Sequence, residues 1–415
     1  MKILLPVSNP FIKGHIETVL CLAKVAGFDS DAVELGTSLT SDIQLVSGGY
    51  RTTVSSDVLA SSPSSPSSPS SRVDYTLLYE HKMGKATVYE MLNRARPGCV
   101  YLNVKHPGGI LDAWSCNSES IRALSGDNVI EDTAFHLAWF AVSLLLDFPL
   151  EDALVLARAG NVSRETWPHQ HQHFPVPVIE DKELGIQVGW AVKACETEFP
   201  HLNKKDLGLY PVVDSVEWIA KLLPLGIKTI QLRIKDPACS TLESQIKKAI
   251  ELGQQYDAQV FINDYWQLAL KHNAFGVHLG QEDIEVADLN RIAKSGTRLG
   301  LSTHGYYELL RIVQISPSYI ALGHIFPTTT KDMPSRPQGL IRLGLYQQLI
   351  DTICYADTVG YPTVAIGGID LETAAPVWNC GVSSLAVVRA ITLAQDIPGA
   401  IDKFSLIMRK RSHVG

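Results

Sequence analysis

The side chains best suited to chemistry fall in short stretches of the second half of the chain: QLRIKD (231–236), IND (262–264), GQED (280–283), STH (302–304), PTTTK (327–331) and IGGI (366–369). Three cations, Arg233, Lys235 and Lys331, suit a di- or triphosphate. Two carboxylates, Asp264 and Asp283, suit a hard cation such as Mg2+, which keeps several waters and bridges to phosphate oxygens. In QLRIKD the polar Gln231, Arg233 and Lys235 alternate with Leu232 and Ile234. That alternation predicts a strand with one polar face, and Arg233 and Lys235 would turn to an anion. Each feature also has a plainer reading. Asp264, Asp283, Ser302 and Thr303 could cap helices, Gly367–Gly368 could be only a tight turn, and the two cations could be a solvated rim.

These stretches need elements to position them. From residue 207 onward, β-branched runs alternate with helical patterns. Strands are predicted at 207–214, 229–236, 258–264, 276–283, 298–304, 319–327, 362–369 and 384–391. Between them lie helical patterns such as LESQIKKAIELGQQY and YYELLRIV. About eight β/α units in roughly 210 residues predict a (β/α)8 barrel of TIM type. A doubly wound open sheet normally has a glycine-rich turn after its first strand, and VVDSVEW has none. In a barrel the candidate residues cluster at the C-terminal strand ends, where such folds carry their sites. Two anion sites then follow: a metal-bound diphosphate near strands two to four, and a monophosphate near strands six to eight, after AIGGI and AVVRAI.

The chain as a whole has 415 residues, a net charge of −7 and 19% charged residues. That is an ordinary globular composition for about two domains, without the basic balance of a general nucleic-acid binder. Seven cysteines without a CxxC pair predict free thiols in a reducing cytoplasm. The N-terminus lacks a signal-peptide pattern, and FHLAWFAVSLLLDF (135–148) is too short to span a bilayer, so a buried core helix is expected there.

LGLYPVVDS, TIQLRIKD, FINDYWQLALKHNAFGVHLGQED, LGLSTH, LGHIFPTTTK and PTVAIGGI together resemble the thiamine-phosphate synthase (thiamine-phosphate pyrophosphorylase) family over about 207–392. The resemblance implies joining of hydroxymethylpyrimidine diphosphate to hydroxyethylthiazole phosphate, with Mg2+ and release of pyrophosphate. It also implies residue roles. Gln231 would touch the pyrimidine. Arg233, Lys235, Asn263 and Lys331 would hold the diphosphate, with Ser302 assisting. Asp264 and Asp283 would bind the metal. Thr328, Thr330, Gly368, Val388 and Arg389 would hold the thiazole phosphate. Two departures stand out: Arg389 where many members have Ser, and His324 where Pro is frequent. The partners implied are these two small molecules, with neither nucleic acid nor membrane; formation of a homo-oligomer is left open. A catalytically dead barrel that binds thiamine is the alternative from another class, and the intact Asp264/Asp283 pair argues against it.

The first half reads as an α/β domain over 1–175, with a Ser/Pro-rich loop at 61–71 and a linker over 176–204 before the barrel at 205–415. Residues 128–168 resemble the C-terminal part of hydroxymethylpyrimidine-phosphate kinases of the ribokinase-like class. There a glycine-rich turn opens the helix, whereas here EDTAFHL has no glycine. A degenerate, non-catalytic kinase-like domain is therefore expected, with Asp132 as helix cap; a bifunctional enzyme is the alternative. HQHQH (169–173) has metal-ligand spacing, yet its proline-flanked setting favours a plain connection.

Overall fold

The computed structural model describes residues 1–7, 9, 11–59, 73–79, 83–106, 108–117, 120–189, 198–328 and 336–410. The Ser/Pro tract, Cys195, Thr330 and Lys331 lie outside them. The chain divides into two compact units, Met1–Val188 and Gly189–Gly415.

The first unit is built on a nine-stranded mixed sheet. Its strands are β1 (Lys2–Pro6), β2 (Glu34–Ser38), β3 (Ile43–Ser47), β4 (Tyr50–Ser56), β5 (Tyr75–Leu78), β6 (Cys99–His106), β7 (Gly109–Asn117), β8 (Ser120–Gly126) and β9 (Val176–Pro177), in the order β2-β1-β3-β4-β5-β6-β7-β8-β9. A small hairpin, β10 (Glu180–Asp181) with β11 (Ile186–Gln187), follows. Part of the expected linker at 176–204 is thus sheet: Val176 and Pro177 pair with Ser125 and Leu124. The helices are α1 (Phe11–Val25), α2 (Lys85–Arg94), α3 (Thr133–Leu145) and α4 (Leu150–Ser163).

Helix α3 is the expected core helix. Phe135 to Ser143 are all buried, and even His136 is fully enclosed. A helix apolar on every face has no side to give to water. Its neighbour α4 approaches through Gly160, where a Cβ would sit 2.2 Å from the Trp139 ring. Beneath β7, Asp112 and Arg158 form a buried, two-pronged ion pair, with Arg158 Nη2 2.8 Å from Asp112 Oδ1.

The second unit is a closed barrel of eight parallel strands: β12 (Leu209–Val213), β13 (Thr229–Leu232), β14 (Gln259–Asn263), β15 (Gly276–Leu279), β16 (Arg298–Thr303), β17 (Tyr319–Gly323), β20 (Thr363–Ile366) and β21 (Ser384–Val387). Strand β12 pairs with both β13 and β21, which closes the ring. Between β17 and β20 lies a hairpin, β18 (Cys354–Tyr355) and β19 (Thr358–Val359). Helices α5 (Val216–Leu222), α6 (Leu242–Gln255), α7 (Trp266–Lys271), α8 (Asp283–Val286), α9 (Leu289–Lys294), α10 (Tyr306–Ile312), α11 (Gly339–Ile350), α12 (Ala374–Asn379), α13 (Arg389–Thr392) and α14 (Ile397–Arg409) alternate with the strands.

All eight expected strands are present but shorter, mostly because their C-terminal residues leave the ladder as loops. The barrel is filled, not hollow. Tyr210, Phe261 and Tyr319 belong to one buried cluster with Val212, Ala321, Val364 and Ala386. Two glycines make room for the rings: a Cβ at Gly276 would lie 2.3 Å from Phe261, and one at Gly300 2.1 Å from Tyr319. Large residues set against small ones are how a narrow barrel reaches close packing.

Candidate active site

The QLRIKD reading needs one correction. Strand β13 stops at Leu232 and is buried throughout, so it has no solvated face. Gln231 is 3% exposed and its Nε2 donates to the Tyr210 hydroxyl at 3.3 Å. Arg233, half-buried, and Lys235, exposed, lie in the loop beyond the strand. The Arg233 amide extends the ladder by one bond to the Val213 carbonyl, at 2.7 Å. The Tyr265 hydroxyl then donates to the Ile234 carbonyl at 3.0 Å, which ties this loop to the one after β14. Burial, followed by the negative charges of Asp264 and Asp236, raises the Tyr265 pKa and keeps that donor protonated.

Asn263 ends β14 and is buried; Asp264 follows it in the left-handed region at φ 63° and is exposed. Its amide donates to the His278 carbonyl of β15 at 3.0 Å. A left-handed aspartate is uncommon, and here it turns the chain sharply at the barrel rim. Tyr265, not Asp264, is the N-cap residue of α7. Asp283 opens α8, with Glu282 at the cap position. Its Oδ2 accepts from the Gly280 amide at 2.8 Å, which orients the carboxylate. Strands β14 and β15 are neighbours, with Asn263 opposite His278. Both carboxylates therefore belong to adjacent strand ends. Among the described residues no three His, Cys, Asp or Glu gather as metal ligands. Two carboxylate donors fit Mg2+, which takes oxygen ligands and completes its shell with water and phosphate oxygens.

Ser302 lies near the end of β16 and is half-buried. Its Oγ is 2.8 Å from His278 Nε2, and its carbonyl accepts from Gln281 Nε2 at 2.7 Å. The capping reading does not apply to it either, because Gly305 is the N-cap residue of α10.

Across the barrel, the segment after β17 is stitched to the end of β20. The Ile325 and Phe326 amides donate to the Ile366 and Gly367 carbonyls, each at 3.0 Å. Gly367 and Gly368 have φ 105° and 66°. A Cβ on Gly367 would meet His324 Cβ at 2.5 Å, and one on Gly368 would meet Phe326 Cβ at 2.7 Å. This is the tight turn of the plainer reading, and it also brings bare backbone against the loop carrying Thr328. His324 is buried; burial, then the neighbouring His304, lowers its pKa, so it is a neutral group. Val388 precedes the short helix α13, which starts at the exposed Arg389.

The described candidates thus share the C-terminal rim of one barrel. Gln231, Asn263 and Ser302 lie near the C-terminal ends of β13, β14 and β16, and Arg233, Lys235, Asp264 and Asp283 follow β13, β14 and β15. Thr328, Gly368, Val388 and Arg389 follow β17, β20 and β21. Sequence reasoning passed over Tyr210, His278 and Tyr319, which lie inside the barrel and touch Gln231 and Ser302. Their signal was available: a polar atom at the same period-two position as the neighbouring strand's site residue.

A family model described as "Thiamine monophosphate synthase" matches residues 209–391. The thiamine-phosphate synthase of Serratia proteamaculans is 58% identical over 200 residues, 48% of this chain and 90% of that protein. The chain belongs to the thiamine-phosphate synthase family. The synthase of Pectobacterium atrosepticum is 61% identical over 191 residues, 46% of this chain and 86% of that protein. A solved thiamine phosphate pyrophosphorylase from Pyrococcus furiosus is 29% identical, covers 50% of this chain and 98% of that one, and has a TM-score of 0.42. These matches concern the barrel half of the chain. Among the described residues, no helix is long and apolar enough to cross a membrane.

Proposed function

We propose that the barrel joins hydroxymethylpyrimidine diphosphate to hydroxyethylthiazole phosphate, giving thiamine phosphate and pyrophosphate in the cytoplasm. This reading is supported by cations, an amide and two carboxylates at or just beyond the ends of the adjacent strands β13, β14 and β15, in a chain of which 200 residues are 58% identical to a thiamine-phosphate synthase.

In the reaction, the bond from the pyrimidine methylene to the diphosphate oxygen breaks, and both electrons leave with pyrophosphate. The electron-rich aminopyrimidine carries the positive charge. The thiazole nitrogen then supplies its lone pair to the methylene carbon. No side-chain nucleophile is needed; the protein must stabilise leaving-group charge and hold two substrates in line. Arg233, Lys235 and Lys331 draw charge from the departing oxygens, and Asn263 and Ser302 direct hydrogen bonds there. Gln231 borders the pyrimidine. Asp264 and Asp283 would hold Mg2+, which when bound offsets the charge of the pyrophosphate. Thr328, Thr330, Gly368, Val388 and Arg389 receive the thiazole phosphate. Arg389 does so as a charge.

Asp264→Ala, Asp283→Ala and Arg233→Ala should each lower thiamine phosphate formation by about 10²-fold or more, by loss of leaving-group stabilisation. Circular dichroism and the melting temperature should stay close to the parent's. Near-parental turnover in folded variants would remove these residues from the site.

A further inference from the structure

Five side chains from five strands form one unbroken hydrogen-bonded run through the barrel. Gln231 Nε2 lies 3.3 Å from the Tyr210 hydroxyl, which lies 3.0 Å from the Tyr319 hydroxyl. That hydroxyl lies 2.7 Å from His278 Nδ1, and His278 Nε2 lies 2.8 Å from Ser302 Oγ. The first four residues are buried, and only Ser302 is half-exposed at the rim.

Proton counting restricts this run sharply. Each hydroxyl has one proton, and a neutral imidazole has one. Once the Gln231 amide takes the first link, four donors serve the remaining three, so one hydroxyl proton is left over. A buried phenol proton without an acceptor is costly, so the spare one belongs to Ser302 at the rim, and every link is then decided by the Gln231 end. The Gln231 amide nitrogen can only donate. Tyr210 then accepts from it and donates to Tyr319. Tyr319 donates to His278 Nδ1. His278 carries its proton on Nε2 and donates to Ser302 Oγ. Ser302, already an acceptor, has its own proton free to turn outward. Burial raises both phenol pKa values, so these links remain neutral O–H groups.

We infer that Gln231 fixes the polarity of this run, and that Tyr319 and His278 are positioning residues which hold Ser302 as a hydrogen-bond donor to the leaving diphosphate. The functional half of this inference rests on the reaction proposed above. The polarity matters chemically. With the opposite polarity Ser302 would give its proton to His278 and present lone pairs to a carbocation, in competition with the thiazole nitrogen. A donor serine stabilises the departing oxygens instead.

The test is the tautomer of His278, read by 15N NMR on the full chain labelled at histidine, without substrate, at neutral pH. Its signals are assigned by their loss in His278→Gln or, should that chain not fold, by their shift in Tyr319→Phe. The parent should show the Nε2–H tautomer. Gln231→Glu has nearly the same shape; recorded at a pH at which its infrared carboxylate band shows it ionised, it only accepts, so it should reverse the run and give the Nδ1–H tautomer. An Nδ1–H or doubly protonated ring in the parent, or an unchanged tautomer in Gln231→Glu, would overturn the polarity. In turnover, Tyr319→Phe should lower kcat about tenfold, less than loss of a donor outright, with the KM for thiazole phosphate unchanged. An unchanged kcat would overturn the role in positioning Ser302. Because the tautomer is measured without substrate, the polarity stands or falls independently of the activity.

Discussion

Arg389 is the charged residue in the proposed thiazole-phosphate contact. It is exposed and opens the short helix α13 after β21. A guanidinium there can reach a phosphate in two-pronged fashion, where a serine would offer one O–H. Arg389→Ala should raise the KM for thiazole phosphate about tenfold, the usual range for a charged hydrogen bond, while kcat and the KM for the pyrimidine diphosphate hold. Initial-rate kinetics with each substrate varied would check this, and an effect confined to kcat would contradict it. At this scale the loop positions were legible, because Arg233 and Asp264 directly follow mostly apolar strands and Asp283 comes four residues after one. The buried ones were less so. Gln231 read as the polar face of a strand, whereas it faces Tyr210. His278 sits between apolar neighbours in GVHLG, and only its contacts to Tyr319 and Ser302 reveal its use.

Strands and helices set these positions through packing. Gly300 in β16 faces Tyr319 so closely that a Cβ would lie 2.1 Å from the ring and 2.5 Å from its hydroxyl. Gly300→Ala should therefore cost about 1–3 kcal/mol by overpacking and also reduce turnover, because Tyr319 must shift off His278. Thermal unfolding and activity measured on the same sample would show whether the two losses travel together. In the first unit, α3 carries His136 wholly buried against Tyr79, with Nδ1 2.7 Å from the phenol. Burial, more than any charge, lowers its pKa from 6.5 to about 3. Below pH 6.5 the unfolded chain gains a proton that the folded one refuses, so stability is full above 6.5 and falls as the pH drops toward 3. His136→Gln should flatten that acid-side slope for the unfolding of this unit, and an unchanged slope would mean that other groups govern it. The strand period was legible across the barrel, since eight apolar runs sit between helical patterns. The ends were not. Burial decides where a strand stops, and the polar residues continuing the alternation leave the ladder to reach the rim.

Two units make up the molecule, and only the barrel half carries the family match. In the first unit the opening of α3 speaks against phosphoryl transfer. Asp132 caps the helix, its Oδ1 accepting from the Phe135 amide at 3.0 Å, and Oδ2 pairs with Arg164 at 3.1 Å. The carboxylate takes up the Phe135 amide at this helix start, and its negative charge repels a phosphate there. The Asp132 cap was legible in EDTAFHL, while the mixed sheet was not, since its parallel and antiparallel pairings join distant segments. We propose synthesis for the barrel and no kinase step for its companion. Purified full-length protein with Mg2+ and thiazole phosphate should be given either the pyrimidine diphosphate or the monophosphate plus ATP. Thiamine phosphate from the diphosphate alone is the predicted result; none from the diphosphate would contradict the central claim, and product from both would give the first unit the kinase step denied to it here.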